Sequence, residues 1–213
     1  MRLLLNIFFL CFCFIPVKAQ TLEPRHTFNL ELGLPNGMTN KPFKNIMQGL
    51  VNASPYYQFA FKNHLIIGAG VMYSYYTINE FKVPKKVYGG MHTGGAFLKI
   101  GWEKFHTDRF ATDFSVKMGY TQSYFDTDMN KVFGQNPYVA EAGYVEPTMG
   151  LILTADELTS FRFIIGYSLQ GYAFQPYMIG LQTLGGYETS EFGKINGSLL
   201  VGFGFTYYFK PKN

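Results

Sequence analysis

Eight ionisable residues hold most of the chemistry this chain could do: Glu31, Lys99, Glu103, Asp113, Lys117, Glu146, Arg162 and Lys194. They share one phase of alternating segments, so all eight are expected on one face of a sheet. Four acids and four bases gathered there are either an ion path or binding site, or a salt-bridged polar plug. An isolated buried charge is costly, so such groups must find partners, and the plug is the simpler reading. The four histidines, His26, His64, His92 and His106, are scattered, and their spacing supplies no partners for a nucleophile or a metal. Both cysteines, Cys11 and Cys13, lie in the first twenty residues, so the rest of the chain has no disulfide, thiolate metal site or cysteine nucleophile. Gly202-Phe203-Gly204 and Gly68-Ala69-Gly70 open no helix and are packing glycines rather than phosphate cradles. Asp126 and Asp128 are too few oxygen ligands in series for a calcium loop. The residues therefore call for no catalytic site, no metal and no cofactor.

Strands must position these groups. From Lys194 to Phe209 apolar side chains recur at every second position (Ile195, Leu199, Val201, Phe203, Phe205, Tyr207, Phe209), with Asn196, Ser198, Gly202, Gly204 and Thr206 between them. A period of two excludes a helix, and at ~3.3 Å per residue the run spans about 50 Å, far beyond an ordinary strand. Seven more segments alternate in the same way: Thr27 to Pro35, Met47 to Phe61, His64 to Thr77, Thr93 to Phe105, Arg109 to Gln122, Gly143 to Ala155 and Ser160 to Phe174. In the second, Met47, Val51, Ala53, Tyr57, Phe59 and Phe61 oppose Gln48, Asn52, Ser54 and Gln58, while Leu50 and Tyr56 break the phase and Pro55 weakens pairing.

The first nineteen residues read separately. Arg2, an apolar stretch from Leu3 to Ile15 and the small-residue end Val17-Lys18-Ala19 form a secretory signal peptide, with cleavage expected between Ala19 and Gln20. Pro16 closes the apolar stretch before it reaches the length of a spanning helix. The domain organisation is then a signal peptide, 1–19, followed by one barrel domain, 20–213. Losing Arg2 and Lys18 takes Lys+Arg from 18 to 16 against 14 Asp+Glu, so the net charge falls from +4 to +2 and implies no nucleic-acid partner. Charged residues make up 15% of the chain against about 25% in soluble domains, and aromatics 18%. An exported, weakly charged chain whose later apolar runs are too short for a spanning helix points to the other structure a bilayer permits, a closed β-barrel.

Connections near Asn63, Thr107 and Glu157 are tight; those near 36–46, 78–92, 123–142 and 175–193 are long. Their strict alternation gives an all-β, eight-stranded antiparallel up-and-down transmembrane β-barrel with short turns at one end and long loops at the other. Three-residue turns at 62–64, 106–108 and 156–158 keep apolar positions paired with apolar ones. The glycines at 68, 70, 101, 119, 150, 166, 202 and 204 share the polar phase, and small residues suit the narrow interior of eight strands. On the other phase Tyr73, Tyr75 and Tyr120 toward the loops, and Trp102, Phe110, Phe161 and Tyr207 toward the turns, form two aromatic bands like the girdles of a membrane barrel.

With its signal peptide, its meander and the closing Gly-Phe-Thr-Tyr-Tyr-Phe at 204–209, the chain resembles small outer-membrane barrels of the OmpA/OmpX type. Its Ala-Gln start and Tyr- and Gly-rich strands look most like barrels of the Bacteroidetes group, of which the PorT-like ones serve protein secretion and gliding. The resemblance implies that Gly204, Tyr207 and Phe209 form a C-terminal signal for the barrel-assembly machinery. Gly202 replaces a usual polar residue, and Lys210 to Asn213 extend past the last aromatic. It further implies residence in the outer membrane, contact with its lipid and lipopolysaccharide, an envelope protein partner and a structural or interaction role rather than an open porin. Two other classes remain, a barrel enzyme modifying lipid A or phospholipid and a soluble lipocalin-like carrier. Lipid A deacylases of this size carry a His-x-Ser pair; here His92-Thr93 is the nearest polar pair and reads as a strand start. Lys82, Lys85 and Lys86 beside Tyr88 suit lipopolysaccharide phosphates, although a solvated loop is the plain reading.

Overall fold

The computed structural model describes residues 25–83, 85–132, 134 and 137–209. Eight strands close into one barrel in sequence order: β1 Arg25–Gly37, β2 Met47–Ala60, β3 Leu65–Ile78, β4 Gly89–Phe105, β5 Phe110–Thr127, β6 Tyr138–Thr154, β7 Thr159–Gln170 and β8 Asn196–Phe209. Every neighbouring pair is antiparallel, and β8 closes on β1 from His26↔Phe209 to Gly37↔Ser198. Closure leaves no free edge, which is what an alternating chain of this length needs in the absence of water. The alternating apolar phase lies outside: Leu98 is 66% exposed, Phe114 55% and Val201 37%. A lipocalin-like carrier would have these side chains within.

Tight turns follow the expected parity with one shift of register. The β2–β3 turn spans 62–64, where Phe61 N donates to Leu65 O, and His64 takes a left-handed φ of 69°. The β6–β7 turn spans 156–158, where Asp156 accepts the amides of Leu158 at 2.7 Å and Thr159 at 2.8 Å. Between β4 and β5 the turn sits at 107–109 rather than 106–108, because His106 N donates to Phe110 O and the Thr107 hydroxyl caps the amides of Arg109 and Phe110. Of the three prolines inside strands, Pro35 keeps its place opposite Leu200, while the other two each interrupt one ladder: β2–β3 pairing skips Ser54 and Pro55, and β6–β7 pairing skips Glu146 and Pro147. A missing N–H explains both gaps.

Two readings of facing change. A bulge between Gly49 and Val51 puts both Leu50 and Val51 outside and turns Met47 inward, so Met47 is buried rather than on the outer face. Tyr56, taken as a break in the pattern, lies in phase and inside. β7 stops at Gln170, four residues before the expected end, and Phe174 enters the loop cap.

The long loops are folded rather than splayed. Helices α1 Lys41–Ile46, α2 Asp128–Val132 and α3 Thr189–Phe192, with 3₁₀ turns at Glu80–Lys82 and Pro176–Ile179, bring Phe43, Ile46, Val87, Phe125, Phe174 and Ile179 into one apolar cluster over the barrel mouth. The Asn40 carboxamide caps α1 by accepting Phe43 N at 3.0 Å, and its amino group donates to the Lys194 carbonyl at 2.9 Å, tying loop 1 to loop 4. Lys41 of α1 pairs with Glu191 of α3 at 2.6 Å. That ammonium holds the Glu191 carboxyl below its ordinary 4.5, so its contribution to the cap is present at neutral pH and is lost as pH falls through the lowered value. Acidification through that lowered value is therefore expected to reduce the hydrogen-exchange protection factors of 188–193, and Lys41→Met to show the reduced protection already at pH 7. Equal exchange in the two proteins at pH 7 would show that the pair does not hold the loops.

Candidate functional site

Seven of the eight expected charges meet inside the barrel. Lys117 on β5 donates to Glu31 of β1 at 2.6 Å and to Glu146 of β6 at 2.9 Å. Each carboxylate also receives a tyrosine hydroxyl, Tyr56 on Glu31 at 2.6 Å and Tyr144 on Glu146 at 2.5 Å. One step toward the turns, Lys99 donates to Asp113 at 2.8 Å and to the Tyr56 hydroxyl at 3.1 Å. Arg162 on β7 spans three strands: Nη1 to Asp113 at 2.7 Å, Nη2 to Glu103 at 2.8 Å and Nε to the Thr206 hydroxyl of β8 at 2.8 Å. Arg162 is 2% exposed and Lys117 fully buried. The network thus joins seven of the eight strands, and its charges are within charge-assisted hydrogen-bond reach of one another.

The remaining strand, β3, contributes room. Gly70 pairs with Tyr56, and a Cβ on Gly70 would lie 2.3 Å from Tyr56 Cβ, so the missing side chain is what lets the phenol lie across the lumen. Tyr56 also offers its ring to Lys99, whose Nζ stands 4.7 Å from the centroid.

Lys194 is not part of this assembly. It precedes β8, which begins only at Asn196, and its side chain is exposed in loop 4. The lumen therefore holds four acids and three bases, an excess of one negative formal charge at the Glu31–Lys117–Glu146 end, where the two tyrosine hydroxyls supply the extra donors.

Apolar groups pack at both ends of the network and within it, the loop cap closing the outer end. Ala60, Ile66, Phe105, Ala111, Ile152 and Tyr208 pack at the turn end, and Tyr56, Met72, Phe97 and Tyr144 form a layer in the middle. Glycine and charge mark the lumen in the sequence, and Phe97, Phe105, Tyr144, Ile152 and Tyr208 were not among the residues expected there. Their signal was present, since Phe97 and Ile152 fall on the same phase as the charges, as do Ile66, Met72 and Tyr56.

The other expected positions separate cleanly. Tyr73, Trp102, Tyr120, Phe161 and Tyr207 are exposed on the outer face, and Tyr75 and Phe110 are half-buried there. Gly204 faces the lumen beside Arg162, while Tyr207 and Phe209 face outward at the turn end. Ala19 and Gln20 lie outside the described residues. The histidines stay apart: His26 contacts the Tyr57 hydroxyl, His92 the Tyr73 hydroxyl at 2.7 Å and His106 the Thr112 hydroxyl at 2.9 Å. Thr93 points inward to Ser123, so His92 and Thr93 lie on opposite faces and cannot act together. Among the described residues no group of three or more His, Cys, Asp or Glu side chains is placed to hold a metal.

No protein-family model matches the chain, and no curated protein matches it. Solved structures do. The Neisserial surface protein A (NspA) superposes with a TM-score of 0.51 at 10% identity, covering 88% of this chain and all of that one. Ail, the attachment invasion locus protein of Yersinia pestis, gives 0.49 at 12% identity over 88% of this chain and all of its own. The N-terminal β-barrel domain of Pseudomonas aeruginosa OprF gives 0.41 at 11% identity over 90% and 100%. At such identities the likeness is one of fold. This chain has the fold of a small eight-stranded outer-membrane barrel.

Proposed function

We propose that this protein is exported and resides in the outer membrane as a closed, non-conducting barrel whose folded loop cap is its working surface. The observation that carries this reading is the filled lumen: Arg162, Lys117 and Tyr56 bridge opposite walls between two apolar seals. Eight strands leave an interior just wide enough for such side chains, and an apolar exterior with a polar interior is the distribution a bilayer favours. The outward Tyr73, Tyr75, Trp102, Phe110, Tyr120, Phe161 and Tyr207 serve as its interfacial girdles. Gly204, Tyr207 and Phe209 serve as the contact for the barrel-assembly machinery.

The role is structural or interactive. The apolar cluster under the loops fixes their shape, so the cap presents a preformed surface rather than mobile strings. Exposed Lys82, Lys85 and Lys86 in loop 2 suit lipopolysaccharide phosphates, and exposed Phe81 and Tyr177 suit an envelope protein partner. We propose a structural or interaction role rather than an enzymatic one: the hydroxyl beside the outward His92 is that of Tyr73, not the serine of the deacylase pair.

Membrane fractionation and a heat-modifiability gel test the barrel; a chain that stays in the soluble fraction would overturn it. Reconstituted in planar bilayers, the protein is expected to give no unitary current steps. Regular steps that survive purification would show that the lumen opens and would replace the closed barrel with a channel.

A further inference from the structure

The outer face of β3–β6 carries a trough at the loop end. Its floor is Gly94 and Ala96 of β4; a Cβ placed on Gly94 would meet nothing within 4 Å, so the space in front of it is open. Register places Tyr73 on one side of Gly94 and Gln122 on the other, and places Tyr120 across from Ala96. These walls stand on β3 and β5, two strand spacings or about 10 Å apart. His92 closes the loop end, held by the Tyr73 hydroxyl at 2.7 Å and packed at a tilt of 35° against Tyr75 with ring centroids 4.7 Å apart. Toward the turns the trough runs out onto Leu98 and Ile100, bare apolar side chains.

Its chemistry changes along its length in the way an amphipathic lipid does. The upper wall offers hydroxyl, amide and carboxylate groups already set by one another: Tyr124 donates to Gln122 at 2.6 Å, Gln122 donates to Glu141 at 2.9 Å, and Tyr120 lies within reach of Glu141. No lysine or arginine lines the trough among the described residues, and Glu141 is an acid, so a phosphate would meet repulsion there. Flat phenol rings beside acceptors and donors suit a neutral sugar, whose carbon face packs on aromatics while its hydroxyls take hydrogen bonds. The lower part suits an acyl chain.

We infer that this trough binds the neutral sugar headgroup of an outer-leaflet glycolipid, with Gly94 as the floor, Tyr73, Tyr120 and Gln122 as the walls and the lipid's acyl chain along Leu98 and Ile100. The inference rests on the membrane placement proposed above. It does not depend on any enzymatic role, because nothing in the trough attacks the lipid.

The test uses the full mature chain in phosphatidylcholine nanodiscs, with monoglucosyl diacylglycerol titrated in and backbone amide shifts read by NMR. Expected are saturable shifts confined to the outer ends of β3–β6, with the amides near Trp102 at the far rim unmoved. Gly94→Leu fills the floor without left-handed backbone strain and is expected to weaken binding by about tenfold or more, while the protein still inserts and remains heat-modifiable. Inserted wild-type protein that shows no saturable shift overturns the trough and leaves the barrel standing, as does equal binding by Gly94→Leu or an equal response to phosphatidylglycerol. Failure to enter nanodiscs at all would overturn the membrane placement instead.

Discussion

Lys117→Met is expected to destabilise the barrel by about 3–5 kcal/mol, the cost typical of removing one partner from a buried ionic cluster. Lys117 is the cation shared by Glu31 and Glu146, and removing it leaves two buried carboxylates facing each other with only the Tyr56 and Tyr144 hydroxyls as donors. Water cannot enter easily to compensate, because Phe97, Met72 and the loop cap close the space around them. Urea unfolding of the refolded protein in detergent micelles reads the loss directly. The triple variant Lys117→Met, Glu31→Gln, Glu146→Gln removes the charge along with its partners and is expected to recover most of it. If Lys117→Met unfolds at the wild-type urea concentration, the triad does not carry the stability assigned to it.

Arg162→Met should cost a similar amount, about 3–5 kcal/mol, for a different reason. Its guanidinium joins β4, β5 and β8 through Glu103, Asp113 and Thr206, and after its removal Asp113 keeps Lys99 but Glu103 keeps only the Gln58 amide at 3.2 Å. Arg162→Lys is expected to rescue little, since an ammonium cannot present three donors in the fixed planar fork that reaches three strands at once. The temperature at which the folded gel band disappears should drop for both variants. Full rescue by lysine would mean that charge alone matters there and that the fork geometry is incidental.

These two variants differ in what they say about closure. The Lys117 cluster involves β1, β5 and β6, so it ties the first strand across the lumen to the opposite wall. Arg162 reaches from β7 to the final strand and back to β4 and β5. Both therefore link parts of the chain far apart in sequence. Their loss should slow or prevent closure as well as weaken the closed state.

Much of this was legible without coordinates. Strand existence, strand number and antiparallel order followed from period-two alternation and from short and long connections in turn, because a one-residue slip would swap every side chain between lipid and lumen. Lys99, Glu103, Asp113, Lys117, Glu146, Arg162 and Glu31 shared a phase, so their meeting inside was a matter of parity. What parity could not supply was termination. Lys194 sits on the right phase but in a loop, since the strand it was extrapolated from starts two residues later. Phe174 and Met47 were misplaced for related reasons, a strand that stops early and a bulge that shifts the phase.

The sequence by itself determined an alternating eight-stranded meander, its closure into a barrel and which phase is apolar, because these depend on local side-chain direction and on connection length alone. Tertiary structure decided who pairs with whom. Tyr56 became the bridge between the two ion clusters only because Gly70 on the neighbouring strand leaves it space, and the loops became a cap only because apolar residues from all four meet above the mouth. Such pairings join residues tens to well over a hundred positions apart, and a periodic pattern carries no information at that range about which of many equivalent partners will stand opposite.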